Sequence, residues 1–224
     1  MTDVRFRCPF SLLIAGVSGS GKTVLTKKIL EQAKLLYDKS PGPIYYFYKI
    51  WSPAFQELKD LGIVEEFIQG NCSLEWLEEN IQSNTNSTVV LDDLVGELTQ
   101  NSAEIFTVGR NNVKCNIIFM SQVVFSKNRY LREISLNSTY LLIMRNLRDS
   151  LSIRILSRQI NPDDPDFLIW AYRKATELPY THLLLDFFPE SPSYIRYRSN
   201  ILMEGDKPVS CYISTQDGRS KAHL

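Results

Sequence analysis

The chain has 224 residues, 44% of them hydrophobic, which suits one α/β domain with a full core and excludes wholesale disorder. Its 25 lysines and arginines are balanced by 25 aspartates and glutamates, so no overall charge points to nucleic acid. The four cysteines form no C-x-x-C pair and there are only two histidines. We therefore expect no structural zinc site, and a reducing, intracellular compartment is the simplest inference.

The first apolar run, Ser11–Ala15, is typical of a buried strand that leads into a glycine-rich turn. Because Arg5 and Arg7 precede this run, residues 1–19 also imitate a signal peptide. Cleavage there would remove the clearest motif of the chain, so we reject that interpretation. No apolar stretch approaches about 18 residues, and we expect no membrane span.

The glycine-rich turn fits the phosphate-loop pattern G-x-x-x-x-G-K-[ST] without substitution. The loop consists of Gly16, Val17, Ser18, Gly19, Ser20, Gly21, Lys22 and Thr23. Its glycines allow successive backbone N–H groups to turn towards phosphate oxygens. Lys22 brings a cation to the β- and γ-phosphates, and Thr23 offers a hydroxyl to Mg²⁺. The pattern predicts a site for ATP and Mg²⁺; the alternative is a strand-to-helix turn that binds nothing.

A helix is predicted from Thr23 to about Tyr37, and its positive end points at the same anion. Next comes a β-rich run, Ile44–Trp51, whose aromatic residues favour core packing over a base-stacking platform. A short helix from Ser52 to Leu61, a brief strand and a helix capped by Ser73 are expected to follow.

Charges are unevenly distributed along the chain. From Glu57 to Glu104 there are eleven acidic residues and one basic residue, whereas Lys127 to Arg158 holds seven basic and two acidic residues. Two solvated faces explain this pattern. So does a ring in which opposite faces meet head to tail, or a basic segment that approaches phosphate.

The apolar run that begins at Thr88 ends in two carboxylates, Asp92 and Asp93. Since the carboxyl ends of parallel strands meet at one edge of a sheet, we assign Asp92 to the Mg²⁺ shell. Asp93 is the candidate that orients or deprotonates the attacking water, with Glu97 in reserve. The alternative for Asp93 is a helix N-terminal carboxylate without chemistry. Asp93–Gly96 also spells the D-x-x-G of GTPases, but N-K-x-D is absent, so guanine specificity is unsupported.

The next helix is predicted over Thr99–Arg110, followed by a buried strand that ends in Ser121 and Gln122. A polar residue at the carboxyl end of a strand is well placed at a nucleotide crevice. We interpret Gln122 as a sensor of the γ-phosphate or of the attacking water; a plain helix cap is the competing interpretation.

The second half predicts a basic helical or looped segment, a strand over Thr139–Met144, and a helix over Arg148–Ile160. In that helix Leu151, Ile155 and Leu156 are expected to face inward. A final helix and a final core strand, Thr181–Phe187, come next. Residues 1–203 are thus predicted to form one phosphate-loop ATPase domain, with a mostly parallel sheet covered by helices on both faces. Residues 204–224 are predicted to be a polar, mobile tail.

Three features together resemble the viral genome-packaging ATPases of the FtsK/HerA superfamily. They are Gly16–Thr23, the Walker A motif; Thr88–Asp93, the Walker B strand; and Gly109-Arg110-Asn111-Asn112-Val113 leading through a hydrophobic strand into Ser121-Gln122. The likeness is greatest to the poxvirus-type packaging ATPases, including those of Maverick/Polinton elements and adintoviruses. It covers roughly residues 8–190, although Leu147 stands where that family suggests proline.

The resemblance implies an additional-strand ATPase core, in which an inserted strand separates the Walker A and Walker B strands. It also implies a homo-oligomeric ring around double-stranded DNA, whose ATP hydrolysis moves DNA into a preformed capsid. A capsid or portal-like protein is then a candidate partner, and the host nucleus, the cytoplasm or the virion a candidate location. Such motors take an arginine from the neighbouring subunit. Arg110 is our first candidate, followed by Arg145 and Arg148, although a surface salt bridge explains each arginine as well.

Two other functions remain open at this point. A nucleoside or small-molecule kinase would share the phosphate loop but would phosphorylate an acceptor and work as a monomer or dimer. A nucleotide-gated interaction protein would bind ATP and hardly hydrolyse it. The presence of Lys22, Thr23, Asp92 and Asp93 argues against the second alternative.

Overall fold

The computed structural model describes residues 3–94, 96, 98–125, 128–205, 208–215 and 218–223. Within them, the strands are β1 (Ser11–Ala15), β2 (Ile44–Tyr48), β3 (Glu66–Gln69), β4 (Thr88–Asp92), β5 (Asn116–Ser121), β6 (Tyr140–Met144), β7 (His182–Asp186), β8 (Tyr197–Ser199), β9 (Ser210–Thr215) and β10 (Gly218–His223). The α-helices are α1 (Lys22–Glu31), α2 (Ala33–Leu36), α3 (Pro53–Asp60), α4 (Leu74–Asn80), α5 (Gln100–Glu104), α6 (Arg129–Asn137), α7 (Ser150–Ile160) and α8 (Pro165–Ala175). A π-helical segment, Ile105–Val113, continues α5.

All ten of these strands belong to one sheet, in the order β10-β9-β8-β7-β6-β1-β5-β4-β2-β3. The six strands from β6 to β3 in that order are parallel to one another. β5 pairs with both β1 and β4, so one strand separates the strand before the phosphate loop from the strand that ends in Asp92. The middle of the sheet therefore has the order β1-β5-β4. It brings the carboxyl ends of β1, β4 and β5 to the same edge of the sheet.

Helices cover both faces of the sheet, as predicted. One core cluster joins α1, α2 and α3 to one face, with Leu25, Ile29 and Phe55 among its buried members. The other cluster joins α4 to α8 and the π-helical segment to the opposite face, with Leu77, Phe106 and Leu131 among its members. The central strands are buried on both sides because each apolar run faces two helical layers. Among the described residues, no helix has the length and apolar character to cross a membrane.

The aromatic residues of β2 pack in the core. Tyr46 and Phe47 are fully buried. The Tyr46 ring lies 4.8 Å from that of Phe55 and 5.5 Å from that of Phe67, measured between centroids. The strand therefore supplies side chains to both helical layers, and the core-packing interpretation is confirmed.

The C-terminal segment differs from the predicted mobile tail. β7 is antiparallel to β6, and β8, β9 and β10 continue the sheet as antiparallel strands. Cys211 and Tyr212 of β9 are buried, and the Tyr212 hydroxyl lies 2.9 Å from that of Ser199. Tyr212 also packs against Trp170 of α8, so this segment belongs to the same domain and the predicted boundary at residue 203 is wrong.

The inward face of α7 also differs from the prediction. Ile153 and Leu156 are buried, whereas Leu151 and Ile155 are 66% and 48% exposed. The helix carries apolar residues on two faces, and only one of them can meet the sheet. Periodicity alone therefore selected the wrong face at two of the three positions.

Candidate active site

The phosphate loop connects β1 to α1 in a conformation that needs its glycines. Gly19 and Gly21 have φ angles of 77° and 95°, in the left-handed region that side chains with a Cβ avoid. At Gly16 the constraint is space, because a Cβ would lie 2.6 Å from the Cβ of Met144. The turn is tightened by a hydrogen bond of 3.1 Å from the Ser20 amide to the Val17 carbonyl.

The end of β5 holds the first glycine of the loop. The Gly16 amide donates to the Ser121 carbonyl at 3.0 Å. The buried Ser121 hydroxyl donates to the Val123 carbonyl at 2.7 Å and accepts from the Val123 amide at 3.2 Å. Ser121 thus shapes the turn that presents Gln122. The helix-cap interpretation of Gln122 is wrong, since α6 is capped by Asn128, which accepts from the Tyr130 amide.

Lys22 lies across the loop, with its ammonium group half-buried. Its Nζ donates to the carbonyls of Gly16 at 2.6 Å and Val17 at 3.2 Å. Burial lowers the pKa of Lys22, and the nearby carboxylates of Asp92 and Asp93 oppose that shift. A half-buried cation close to the first turn of α1, where backbone N–H groups lack intrahelical partners, is suited to an anion.

Asp92 ends β4 beside this loop. Its Oδ2 accepts a hydrogen bond of 3.0 Å from the phenol of Tyr46. Burial raises the pKa of Asp92 to about 6, and Asp93 adds to the shift, while the Tyr46 hydrogen bond and Lys22 oppose it. A carboxylate in this setting gains from a cation that replaces the lost solvation. Tyr46 was not foreseen as a site residue, because an aromatic strand does not indicate which ring reaches a neighbouring strand's carboxylate.

Asp93 and Gln122 come together across the sheet edge. The Gln122 amide donates to Asp93 Oδ1 at 3.2 Å, and both residues are exposed to the cleft. Asp93 has a φ of 54°, uncommon for a residue with a side chain, and it turns the chain sharply after β4. Such outliers cluster at functional sites. The reserve candidate, Glu97, lies outside the described residues.

The donor set suits Mg²⁺. Thr23 and Asp92 both line the cleft, and they offer a hydroxyl and a carboxylate, the hard oxygen ligands that this ion accepts. Thr23 and Asp92 would therefore hold the ion.

A single cleft of about 810 Å³ contains these groups. One end is formed by Asp92, Asp93 and Gln122, and the phosphate loop with the first turns of α1 forms its middle. Residues that the sequence analysis did not single out form the far end. They are Tyr180, Thr181, His182, Asn200, Leu202 and Glu204.

The candidate arginines are not among the residues that line this cleft. Arg110 lies in the π-helical segment that runs back from the site edge towards the start of β5, and its guanidinium contacts the Asn111 side chain at 3.3 Å. Arg145 and Arg148 follow β6 at the site edge of the sheet, with the Arg145 amide donating to the Thr181 carbonyl at 3.0 Å. Arg148 is exposed.

Comparisons with known proteins find similar folds among solved structures. The cytoplasmic domain of EssC has a TM-score of 0.51 and 14% identity, over 96% of this chain and 40% of its own. The cytoplasmic domain of the Type VII secretion ATPase EccC from Thermomonospora curvata has a TM-score of 0.50 and 18% identity, over 81% of this chain and 24% of its own.

The genome packaging NTPase B204 from Sulfolobus turreted icosahedral virus 2, solved with ATP-gammaS, has a TM-score of 0.48 and 13% identity, over 80% of this chain and 93% of its own. This chain spans less than half of the EssC and EccC chains. No protein-family model matches the sequence, and no curated protein does. At these identities the likeness to EssC and EccC shows a shared mixed α/β fold with a large central sheet.

Proposed function

We propose that this protein is an ATP-hydrolysing motor that translocates double-stranded DNA, and that it packages the genome of a virus or virus-like element into a capsid. It belongs, on this proposal, to the additional-strand ATPases of the FtsK/HerA superfamily, among the poxvirus-type packaging enzymes. The observation that carries the proposal is one cleft edge at which a complete phosphate loop, Asp92 and the Asp93–Gln122 pair converge, with β5 between β1 and β4.

The phosphate loop binds the triphosphate. Lys22 exchanges the carbonyls of Gly16 and Val17 for phosphate oxygens, and the N–H groups at the start of α1 donate to the same anion. Magnesium, when bound, neutralises charge that develops on the phosphate oxygens. Thr23 and Asp92 would hold it, and the Tyr46 hydrogen bond fixes the orientation of the Asp92 carboxylate.

Asp93 and Gln122 act on the attacking water. The hydrogen bond from Gln122 leaves the second oxygen of Asp93 able to accept a proton from a water beside the γ-phosphate. Gln122 keeps that carboxylate in place and contacts the phosphate or the water through its own amide. Removal of the water proton by Asp93 and attack on the γ-phosphorus yield ADP and inorganic phosphate.

Assembly into a ring would bring an arginine of a neighbouring copy to the cleft. The cleft of one chain contains none of the candidate arginines, and Arg110, Arg145 or Arg148 of a neighbouring copy would stabilise the transition-state charge. An exposed apolar ridge on and before α7, formed by Leu147, Leu151 and Ile155, is one candidate contact surface.

Charge complementarity indicates that the partner that binds the α7 ridge is a second copy of this chain. Arg148, Arg154 and Arg158 flank the ridge and are exposed. The acidic residues of α3, β3, α4 and the position before β3 lie around β3, the strand at one edge of the sheet, and they are also exposed: Glu57, Asp60, Glu65, Glu66, Glu75, Glu78 and Glu79. Two separate surfaces of opposite charge on one chain can build head-to-tail contacts, which form a ring when the rotation between copies closes.

The test is ATP hydrolysis by the purified chain, followed as phosphate release, alone and with double-stranded or single-stranded DNA. We expect double-stranded DNA to stimulate hydrolysis, and Lys22→Ala to abolish it. Asp93→Asn should lower hydrolysis by about 100-fold or more while ATP binding persists. The matched controls are Lys34→Ala and Asp163→Asn, both exposed and away from the cleft, which should leave the rate unchanged. Hydrolysis that survives in Lys22→Ala, or that ignores DNA, contradicts the proposal.

A further inference from the structure

The far end of the cleft contains a buried histidine whose polar atoms have no visible role. His182 begins β7, opposite Met144 at the end of β6, and its side chain is only 7% exposed. Neither ring nitrogen has a hydrogen-bond partner among the described residues. Buried polar groups are nearly always paired, so this ring requires an explanation.

The charge state of His182 suits a neutral ligand group. Burial lowers the pKa of His182 to about 4, against a weaker opposing effect of Glu204, so the imidazole is neutral near pH 7. A neutral imidazole carries one N–H donor and one acceptor nitrogen. A nucleobase edge presents both kinds of partner, whereas a phosphate offers acceptors only.

The position of His182 fits the length of a nucleotide bound at the phosphate loop. β7 is two strands away from β1, which at about 4.8 Å per strand is roughly 10 Å. The direction is also suitable, because Asp92 and Asp93 lie on the opposite side of β1. A triphosphate whose terminal phosphate points to Asp93 therefore extends its ribose and base towards His182.

Two residues near His182 have strained backbones. Tyr180 and Asn200 have φ angles of 62° and 55°, and the left-handed region is rarely adopted by a bulky side chain such as tyrosine. The exposed Tyr180 ring lies next to the phosphate loop, with its Cδ1 3.2 Å from the position of a Cβ on Gly21. Its aromatic face is thus available beside the loop.

The segment 201–204, which forms part of the far end of the cleft, is attached to α1 and to the residue that follows it. Lys28 forms an ion pair of 2.6 Å with Glu204, and the Met203 amide donates to Gln32 Oε1 at 2.8 Å. Ile201 is buried in the core beneath α1, while Leu202 faces the cleft. The far end is therefore a formed pocket.

We propose that this far end of the cleft is the nucleobase subsite, in which the imidazole of His182 hydrogen-bonds to the edge of the base and the Tyr180 ring packs against the base or its ribose. The inference rests on the proposed nucleotide-binding function and adds to it the residues that distinguish a nucleoside triphosphate from a bare polyphosphate.

The experiment compares two probes, ATP and inorganic tripolyphosphate, by calorimetric titration in the presence of Mg²⁺. For His182→Leu we expect about tenfold weaker ATP binding, equivalent to about 1.4 kcal/mol, with unchanged tripolyphosphate binding. His182→Asn keeps a donor and an acceptor and should recover part of the loss. The matched control is His223→Leu, which removes the other histidine, exposed on β10, and should bind both probes as wild type does.

Tyr180→Ala is a second test of the subsite in case the variants of the buried His182 fail to fold, because the Tyr180 ring is exposed. This variant should weaken ATP binding several-fold and leave tripolyphosphate binding intact. The base subsite is refuted, while the proposed function stands, if the variants at both positions weaken the binding of ATP and of tripolyphosphate equally. It is also refuted if they leave the binding of both probes unchanged. If the wild-type protein binds neither probe, the proposed function fails, and this inference fails with it.

Discussion

At the scale of single residues, the proposed ATP hydrolysis depends on how the Asp92 carboxylate is held. The side chain is partly buried, Tyr46 donates to it, and Asp93 follows it in the chain. The sequence was sufficient to place Asp92 and Asp93 at the end of a strand, because two acids that follow an apolar run are visible locally. Tyr46 was not predictable, since its contact depends on the pairing of β2 with β4.

Tyr46→Phe should raise the Mg²⁺ concentration that gives half-maximal ATP hydrolysis by about 10-fold or more. The ring stays buried, so packing is kept, but the Asp92 carboxylate loses the hydrogen bond that orients it, and losses at such supporting positions are commonly 10–100-fold. The measurement is a Mg²⁺ titration of the hydrolysis rate. Tyr45→Phe, on the opposite face of β2, is the control, and an unchanged Mg²⁺ requirement in Tyr46→Phe would show that the hydrogen bond does not matter.

The buried His182 predicts a pH dependence of stability. Its pKa falls from 6.5 to about 4 on folding. Above pH 6.5 the ring is neutral in both states. As the pH falls below 6.5, His182 becomes protonated in the unfolded chain but stays neutral in the folded chain. The free energy of unfolding therefore decreases between pH 6.5 and about pH 4. The loss attributable to His182 is up to about 3 kcal/mol.

Urea unfolding of wild type and His182→Asn between pH 7.5 and 4.5 measures this effect. The free energy of unfolding of the wild-type protein should fall more steeply with acid than that of the variant. Asp92 contributes with the opposite sign, because its pKa is raised by folding, but it is present in both proteins and cancels in the comparison. Parallel pH profiles would mean that the ring is not buried in neutral form.

At the scale of elements, the sequence predicted those helices, strands and loops whose structure depends only on residues adjacent in the chain. β1, the phosphate loop and the start of α1 stand as predicted, because strand, loop and helix signals are contiguous in the chain. The face of α7 was mispredicted because Leu151 and Ile155 form a second apolar stripe, and only the position of the sheet decides which stripe is buried. The pairing of β9 with β8 was missed because the polar residues around Cys211 and Tyr212 mask a short apolar strand.

Tyr212→Ala tests whether β9 is an integral part of the sheet. The ring is fully buried and packs 5.9 Å from that of Trp170, measured between centroids. Its removal should lower the free energy of unfolding by about 3–5 kcal/mol, the range for large aromatic truncations in a core. Urea unfolding measures the change, with Ser220→Ala on exposed β10 as the control. A loss below about 0.5 kcal/mol would show that β9 is not an integral part of the sheet.

At the scale of the whole molecule, the proposed ring motor requires that copies of the chain bind one another. Overall composition conceals the separate acidic and basic segments, because the 25 basic and 25 acidic residues of the whole chain give zero net charge. The structure adds that the acidic surface lies at the β3 edge of the sheet, away from the α7 ridge beside β6, an arrangement that no local pattern reveals.

Leu151→Glu should abolish assembly, because it places a carboxylate in the middle of the apolar ridge, where it would face the acidic surface of the next copy. Light scattering with ATP and DNA is expected to give a multimer for wild type and a monomer for the variant. Leu35→Glu, which alters an exposed leucine on α2, should assemble normally. Assembly of Leu151→Glu at the wild-type mass would place the interface elsewhere.

The most direct test of the central claim is displacement of a third DNA strand from a triplex by the advancing protein. A duplex carrying a triplex-forming oligonucleotide is mixed with the full chain, and release of the oligonucleotide is followed with time. We predict release that requires ATP and Mg²⁺, that is lost in Lys22→Ala, and that is retained in Lys34→Ala. Rapid ATP hydrolysis by an assembled wild-type protein without any release of the third strand would contradict DNA translocation.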